Sequence, residues 1–356
     1  MSEVVKVVDT GGTGDYASLN AALSDNQQNL VTADTQLTFK CQTTNGNADT
    51  AAVTVTGYTT DSARYIKIWT DPSESYRHAG KWTDTAYRLQ ASIDWNAFLT
   101  VNNNDVKIDG IQINNTSGSN PDGIEYDGGG EFDVSNCILK GHRWGFDLDT
   151  TNDCTIRLWN NIVYDFSGVG IRSQRASDLT TIVCYNNTLY SGSGTGIYFQ
   201  NLSYLYLKNN LVQNGATAMD NNYILISIGS QTTATNIAED TTSPDDTFDS
   251  KTVAFLDEDN DDFHLDSTDT EAIGNGTDLS TDASSMLSFS TDIDGDTRSS
   301  WDIGADEYVS SGGTNMKINI ADTFKNVSSV KSNVGDLWKT VISIKQNISD
   351  TWKSVF

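Results

Sequence analysis

The chain carries 22 Lys and Arg against 48 Asp and Glu over 356 residues, a formal charge of −26, with 10% aromatic residues. A surface so acidic repels phosphate backbones and anionic membranes, which argues against nucleic acid and membrane as partners and suits cations and neutral or basic glycans. Abundant aromatic and β-branched residues argue against disorder, and the length allows two or three domains with a sizeable core.

The opening Met-Ser-Glu-Val-Val-Lys lacks the apolar stretch of a signal peptide, and no later segment approaches a membrane span. The chain is therefore expected in a cytoplasm, or to leave it by another route such as within a virus particle. The run Gly14-Asp15-Tyr16-Ala17-Ser18-Leu19-Asn20-Ala21-Ala22-Leu23 offers Ser18 as the N-cap of a short amphipathic helix. Short apolar runs at 52–55, 65–68 and 98–101 read as strands.

Between Val106 and Val212 one phrase recurs five times: Val-Lys-Ile-Asp-Gly-Ile, Phe-Asp-Val-Ser-Asn-Cys-Ile, Ile-Arg-Leu-Trp-Asn-Asn-Ile, Ile-Val-Cys-Tyr-Asn-Asn-Thr and Leu-Tyr-Leu-Lys-Asn-Asn-Leu. Its copies align at Gly110, Asn136, Asn160, Asn186 and Asn209, with steps of 26, 24, 26 and 23 residues. A second phrase interleaves as Gly123-Ile124-Glu125, Gly145-Phe146-Asp147, Gly170-Ile171-Arg172 and Gly196-Ile197-Tyr198. A drifting period in the twenties means stacked units that cannot bury their apolar faces alone. Alternation in the first phrase turns Val106/Ile108, Phe132/Val134, Ile156/Leu158, Ile182/Cys184 and Leu205/Leu207 to one side. That places Cys184 in the core. Among Cys41, Cys137, Cys154 and Cys184 neither a Cys-x-x-Cys nor a zinc spacing occurs. The Asn or Gly that follows each strand tolerates left-handed backbone, so the chain can turn there. Asn161, Asn187 and Asn210 are then expected to stack and bond through their amides. The second strand buries Ile124, Phe146, Ile171, Ile197 and Met219. A further rung is expected at 223–228. The fold class is all-β, a parallel β-helix of about eight coils.

The coil phrases, the run from Gly14 to Leu23, and the pair Asp292-Ile293-Asp294-Gly295-Asp296-Thr297-Arg298 and Asp302-Ile303-Gly304-Ala305-Asp306-Glu307-Tyr308 resemble the pectin-lyase-like superfamily of right-handed parallel β-helices. The resemblance covers roughly residues 1–308. It implies an N-terminal helical cap over 1–50, the β-helix over 51–230 and a closing region over 231–310. It leaves function open, because that superfamily holds lyases, hydrolases, esterases, adhesins and phage tailspikes.

After Ser310-Ser311-Gly312-Gly313 the register changes. Phrases beginning at Asn319, Asn333 and Asn347 repeat every fourteen residues and carry Phe324, Trp338 and Trp352 at equivalent places. One reading of 311–356 is a small β-meander with turns at Ala321-Asp322, Gly335-Asp336 and Ser349-Asp350. The other is a heptad helix, since Ile320, Val327, Val334, Val341, Ile348 and Val355 recur every seven residues. The β-branched, aromatic and glycine content favours strands. Too small to bury Phe324, Trp338 and Trp352 alone, the segment is expected to mediate assembly.

If Ile124, Phe146, Ile171 and Ile197 point inward, Glu125, Asp147, Arg172, Tyr198 and Asp220 form an outward column. A second column beside it holds Asp127, Asp149, Gln174 and Gln200. Neighbouring rungs lie about 5 Å apart, a spacing that suits paired carboxylates in glycoside hydrolysis. Lyases of this fold hold Ca²⁺ in an acidic cluster and abstract a proton with a basic residue, a role the resemblance would give to Arg172. Glu125, Asp147, Asp149 and Arg172 are thus candidate catalytic residues, with Asp127, His142, Trp144 and Tyr198 as candidate glycan contacts. A plain solvated acidic face is the competing reading. Asp292, Asp294 and Asp296 alternate around Gly295 as candidate Ca²⁺ ligands, without the Glu of an EF-hand loop.

Tail repeats of this kind resemble C-terminal segments of phage tail and fibre proteins. With the absent leader they predict a structural or adhesive bacteriophage virion protein of tail-fibre, spike or capsid-decorating type. Its expected partners are other virion proteins through 311–356, host cell-surface polysaccharide, and further copies of itself in a homo-oligomer such as a trimer. The alternative is a polysaccharide-degrading enzyme, a lyase or glycoside hydrolase, using the acidic column.

Overall fold

Alternation within the first phrase has the expected result. In the computed structural model Val106, Phe132, Ile156, Ile182 and Leu205 stack in register, as do Ile108, Val134, Leu158, Cys184 and Leu207, and all are buried. The structure describes residues 1–174, 179–191, 193–214, 221–282 and 287–309, with the backbone of four short strands between 317 and 354. Three parallel sheets result. The first has nine strands, from Ser2–Asp9 to Ser230–Ala234. The second has seven, from Arg88–Ala91 to Ile237–Ala238, and the third seven, from Val53–Val55 to Tyr223–Ile226. From Ile66 onward the chain visits first, second and third sheet in turn and returns one strand further along. This is a parallel β-helix of about seven turns, close to the eight expected. A right-handed coil is the sense that strand twist imposes on parallel crossovers.

At the corner after the first sheet the chain turns on left-handed residues: Gly110, Asn136, Asn160, Asn186 and Asn209 have φ of 73°, 52°, 53°, 50° and 57°. The next asparagines form the expected ladder. Asn161 Nδ2 donates to Asn187 Oδ1 at 3.0 Å, Asn187 to Asn210 at 3.0 Å, and Asn210 to Asn236 at 2.9 Å. Each Oδ1 also accepts a backbone N–H from the rung below, those of Cys137, Asn161, Asn187 and Asn210. Each Nδ2 donates as well to a strand carbonyl, of Val134, Leu158, Cys184 or Leu207. Asn236 marks a sixth copy that the phrase does not reveal, because Thr235 takes the left-handed position at φ 54°. The ladder ends where Asn236 Nδ2 meets Asp245 Oδ2 at 2.8 Å.

The second phrase has its own requirement. A Cβ on Gly123, Gly145, Gly170 or Gly196 would lie 2.4, 2.5, 2.9 or 2.7 Å from a backbone carbonyl oxygen of the next rung. Glycine is therefore needed there for close stacking.

Ser18 caps the helix Leu19–Asp25, whose Leu19, Ala22 and Leu23 are buried. It packs with a second short helix, Leu30–Ala33, against the start of the coil. At the other end, Asp240 and Thr242 accept the N–H groups of Asn222 and Tyr223 and seal the last turn. Beyond this the chain runs back along the coil. Val253, Phe255, Phe263, Leu265, Ile293 and Ile303 cover outward Ile138, Ile162, Leu211 and Ile237 of the second sheet. Leu279, Leu287, Phe289 and Trp301 cover Trp159, Val183, Tyr185 and Tyr206 of the first. The two motifs near the C-terminus knot this wrap together. Buried Arg298 donates to the carbonyls of Asp302, Gly304, Ala305 and Asp306 and to Asn160 Oδ1 at 2.9 Å. Glu307 accepts the N–H groups of Ser299, Ser300 and Asp302.

One compact unit spans Met1–Val309 and a second Ser310–Phe356. In the second, Lys317–Ile320 pairs antiparallel with Thr323–Asn326, and Lys345–Ile348 with Thr351–Ser354. Where the tail is described it forms hairpins, as the β reading expects, and not a heptad helix. Phe324 and Trp352 lie on hairpin strands, opposite Asn319 and Asn347. Trp338 and the three expected turns lie outside the described residues.

Gly145→Ala should lower the melting midpoint by more than about 2 °C, the shift expected per kcal/mol in a large domain. Gly118→Ala, with open space around it, should leave the midpoint unchanged; equal midpoints for the two variants would remove the stacking argument. Asn187→Ala orphans buried groups on both neighbouring rungs, at about 1–3 kcal/mol each. A thermal melt indistinguishable from the parent would show that the ladder contributes nothing.

Candidate functional site

The third sheet sets Glu125, Asp147, Arg172 and Tyr198 of the expected column on successive rungs, with Thr100 on the rung before them. Charges pair along the column, although the buried Asp147 Oδ1 and Arg172 Nε, 3.2 Å apart, are not aligned for a hydrogen bond. Arg172 bridges Asp147, at 3.2 Å, and Asp149. Glu125 accepts from Thr100 Oγ1 at 3.4 Å, and the Tyr198 hydroxyl donates to Gln200. The Trp144 ring lies between two guanidinium groups, Arg143 at 3.5 Å and Arg172 at 3.6 Å from its centroid, and Arg143 is held in turn by Asp122. Burial pushes Asp147 up to about 7, against the pull of Arg172 and helped by Asp149 and Glu125. Burial, then Asp122, raises Glu125.

This geometry corrects parts of the expected site. Arg172, engaged by two carboxylates, is not placed to abstract a proton. Trp144, covered on both faces, is no bare platform for a sugar ring. His142 is 1% exposed, with Nε2 against the Ile113 carbonyl at 3.2 Å and its pKa lowered to about 4 by burial; a buried ring cannot frame a glycan. Asp127 stays exposed at the edge of the column. Met219 and Asp220 lie outside the described residues.

The expected Ca²⁺ loop is also rearranged. Asp292 is buried, and its carboxylate is taken up by the N–H groups of Asp294, Asp296 and Glu307 at 3.0, 2.8 and 3.0 Å. Asp296 is exposed. The Asp292 carboxylate therefore builds a turn, and the three expected ligands are not grouped around a cation position. Asp294 instead meets His264, with Nε2 to Oδ2 at 2.9 Å. Together with Asp306 they bring three metal-ligating atoms within 4.8 Å of one another. His264 comes from the hairpin strand Asp262–Leu265, whereas Asp294 and Asp306 come from the knotted wrap. Asp262 holds the other nitrogen of His264, Nδ1, and the Leu265 N–H fixes Asp306 Oδ2 at 2.7 Å. Gly80 lies against the cluster. A Cβ there would come within 2.4 Å of an Asp294 oxygen and 2.6 Å of His264 Nε2.

Burial disfavours charge on His264, but Asp294, Asp306 and Asp262 more than offset it and raise its pKa to about 10. Burial pushes Asp306 up to about 7 against the attraction of His264. Neither residue stands out as a ligand in the sequence: His264 belongs to no motif, and Asp306 lies in the closing motif but at no ligand spacing from a histidine. The remaining histidines and the cysteines are poor donors. His78 and His142 turn Nε2 to backbone carbonyls and are pushed down to about 4 by burial. All four cysteines are buried, and burial raises their thiols, to about 12 for Cys137 and about 11 for Cys154.

Asp147 gives the column a pH signature. Its folded pKa lies above the usual carboxylate value, so its stabilising contribution is complete below pH 4 and is lost as pH rises through about 7. Asp147→Asn should make the decline in melting temperature between pH 5 and pH 8 shallower. An unchanged slope would mean that Asp147 does not titrate there.

Residues 80–239 match a family model described as periplasmic copper-binding protein (NosD). No curated protein matches the chain. The matched segment is under half of the chain and lies on the coil; it includes Gly80 but not His264, Asp294 or Asp306. It agrees with the β-helix and overturns the expected virion location, because the family is described as periplasmic. It lends nothing to a bacteriophage role or to Ca²⁺.

Proposed function

We propose that this protein is a β-helix that binds a transition metal, copper in the first instance, through His264, Asp294 and Asp306. The observation that carries this reading is the convergence of three ligating atoms, from separate segments, on a point kept open by Gly80. The donor chemistry fits: an imidazole nitrogen with carboxylate oxygens is a set that Cu(II) accepts. The match to a family described as copper-binding and periplasmic supports the metal and adds a periplasmic setting.

The surrounding residues have definite tasks on this reading. Asp262 accepts from Nδ1 of His264 and so presents Nε2 to the metal, the usual work of a carboxylate behind a ligating histidine. Lys81 holds Asp262 at 3.2 Å. The Leu265 N–H keeps one oxygen of Asp306 in place and leaves the other for the metal. Gly80 leaves room that any side chain would fill. Bound there, the metal would supply a positive centre that replaces the proton shared by His264 and its carboxylates.

Isothermal titration of metal-free protein with Cu(II) should show one site per chain. His264→Ala should abolish it, and Asp262→Asn should weaken it by about 10–100-fold. Absence of uptake, or uptake indifferent to His264→Ala, would sink the proposal.

A further inference from the structure

We infer that the site is selective for oxidised copper, taking Cu(II) and refusing Cu(I). This rests on the metal-binding reading above. The cluster offers one imidazole nitrogen and the oxygens of Asp294 and Asp306. Carboxylate oxygen and imidazole suit divalent ions, whereas Cu(I) is a soft cation that is held by thiolate and thioether sulfur. The protein has four cysteines, and all are inside the coil. Cys41, Cys137 and Cys184 are 1% exposed or less and Cys154 is 6% exposed. They pack with the core residues of the β-helix, a different set from the apolar residues that cover the second sheet beside the cluster. No cysteine sulfur is therefore found at the site, and the one methionine among the described residues, Met1, sits at the start of the coil, where its amino group pairs with Asp34.

Charge points the same way. Asp294 and Asp306 ligate, and Asp262 stands directly behind His264. Once a metal has displaced its proton, His264 is a neutral imidazole among three carboxylates, a set that matches a dication better than a monocation. The set also disfavours the hard divalent ions. Ca²⁺ takes roughly six to eight oxygens, and among the described residues two carboxylates converge here, alongside a nitrogen donor that copper prefers. The second oxygen of Asp306 is committed to the Leu265 N–H, so the carboxylate cannot easily chelate with both oxygens.

The test uses the full chain, metal-free, in two arms. Cu(II) is added in air and followed by electron paramagnetic resonance, where superhyperfine coupling counts the nitrogen donors. Cu(I) is offered without oxygen from its complex with bicinchoninate. The expected result is a Cu(II) signal with a single nitrogen, lost in His264→Gln, while Cu(I) stays with the chelator. Ascorbate added to the Cu(II)-loaded protein should then release the copper to bicinchoninate. Cu(I) withdrawn from the chelator in a manner that depends on His264 would overturn the selectivity and leave the metal-binding reading standing. No uptake of either ion would overturn both, as would a Cu(II) signal unchanged in His264→Gln. Circular dichroism of His264→Gln and of Asp306→Asn separates loss of the site from loss of the fold.

Discussion

A coil of parallel strands buries the polar backbone of its own corners, and each corner needs a residue that bends left-handed followed by one that can both donate and accept. Asparagine meets both needs. Its backbone tolerates φ near +50°, and its amide accepts from the rung below while donating to the rung above. The ladder Asn161–Asn187–Asn210–Asn236 fixes the register of one turn on the next. The inward columns, the glycine column and the outward acidic column follow from that register, because a slip of one residue would send every side chain to the opposite face.

The metal-ligating cluster is one step further removed from this frame. The second sheet turns Ile138, Ile162, Leu211 and Ile237 outward. Such a face must be covered, and the chain covers it with its own Val253, Phe255, Phe263, Leu265, Ile293 and Ile303. Covering it lays the hairpin that carries His264 beside the Arg298 knot that carries Asp294 and Asp306. The loop holding Gly80 meets them there. The ligating atoms are thus brought together by burial of apolar surface, and their mutual charges set the protonation of the site. The acidic column of the third sheet differs in kind. Its charges pair along the rungs, and Arg172 and Arg143 clamp Trp144 between them.

Much of this architecture was legible because the repeat is local. Val106/Ile108 and their successors alternate with period two, the Gly or Asn at each corner is visible by eye, and the interleaved glycines mark the third sheet. The strands of the second sheet were harder to see. Ile138-Leu139 and Ile162-Val163 are apolar on both faces, so alternation is absent. Thr235 hid the sixth corner by standing in for asparagine. The Asp292-Ile293-Asp294-Gly295-Asp296 run had the composition of a cation loop, yet backbone N–H groups claim Asp292, and only Asp294 turns toward a possible ion.

The sequence by itself determined the coil, its corners and the outward column, since each depends on residues within one repeat of each other. Only the tertiary structure decided which carboxylates pair and which meet a histidine. Asp147 and Arg172 are neighbours through rung stacking. His264 and Asp306 become neighbours through the return of the chain along the second sheet, which no local period encodes. Which apolar face the wrap covers depends on the summed burial of residues far apart in the chain, and the site lies where that wrap comes to rest.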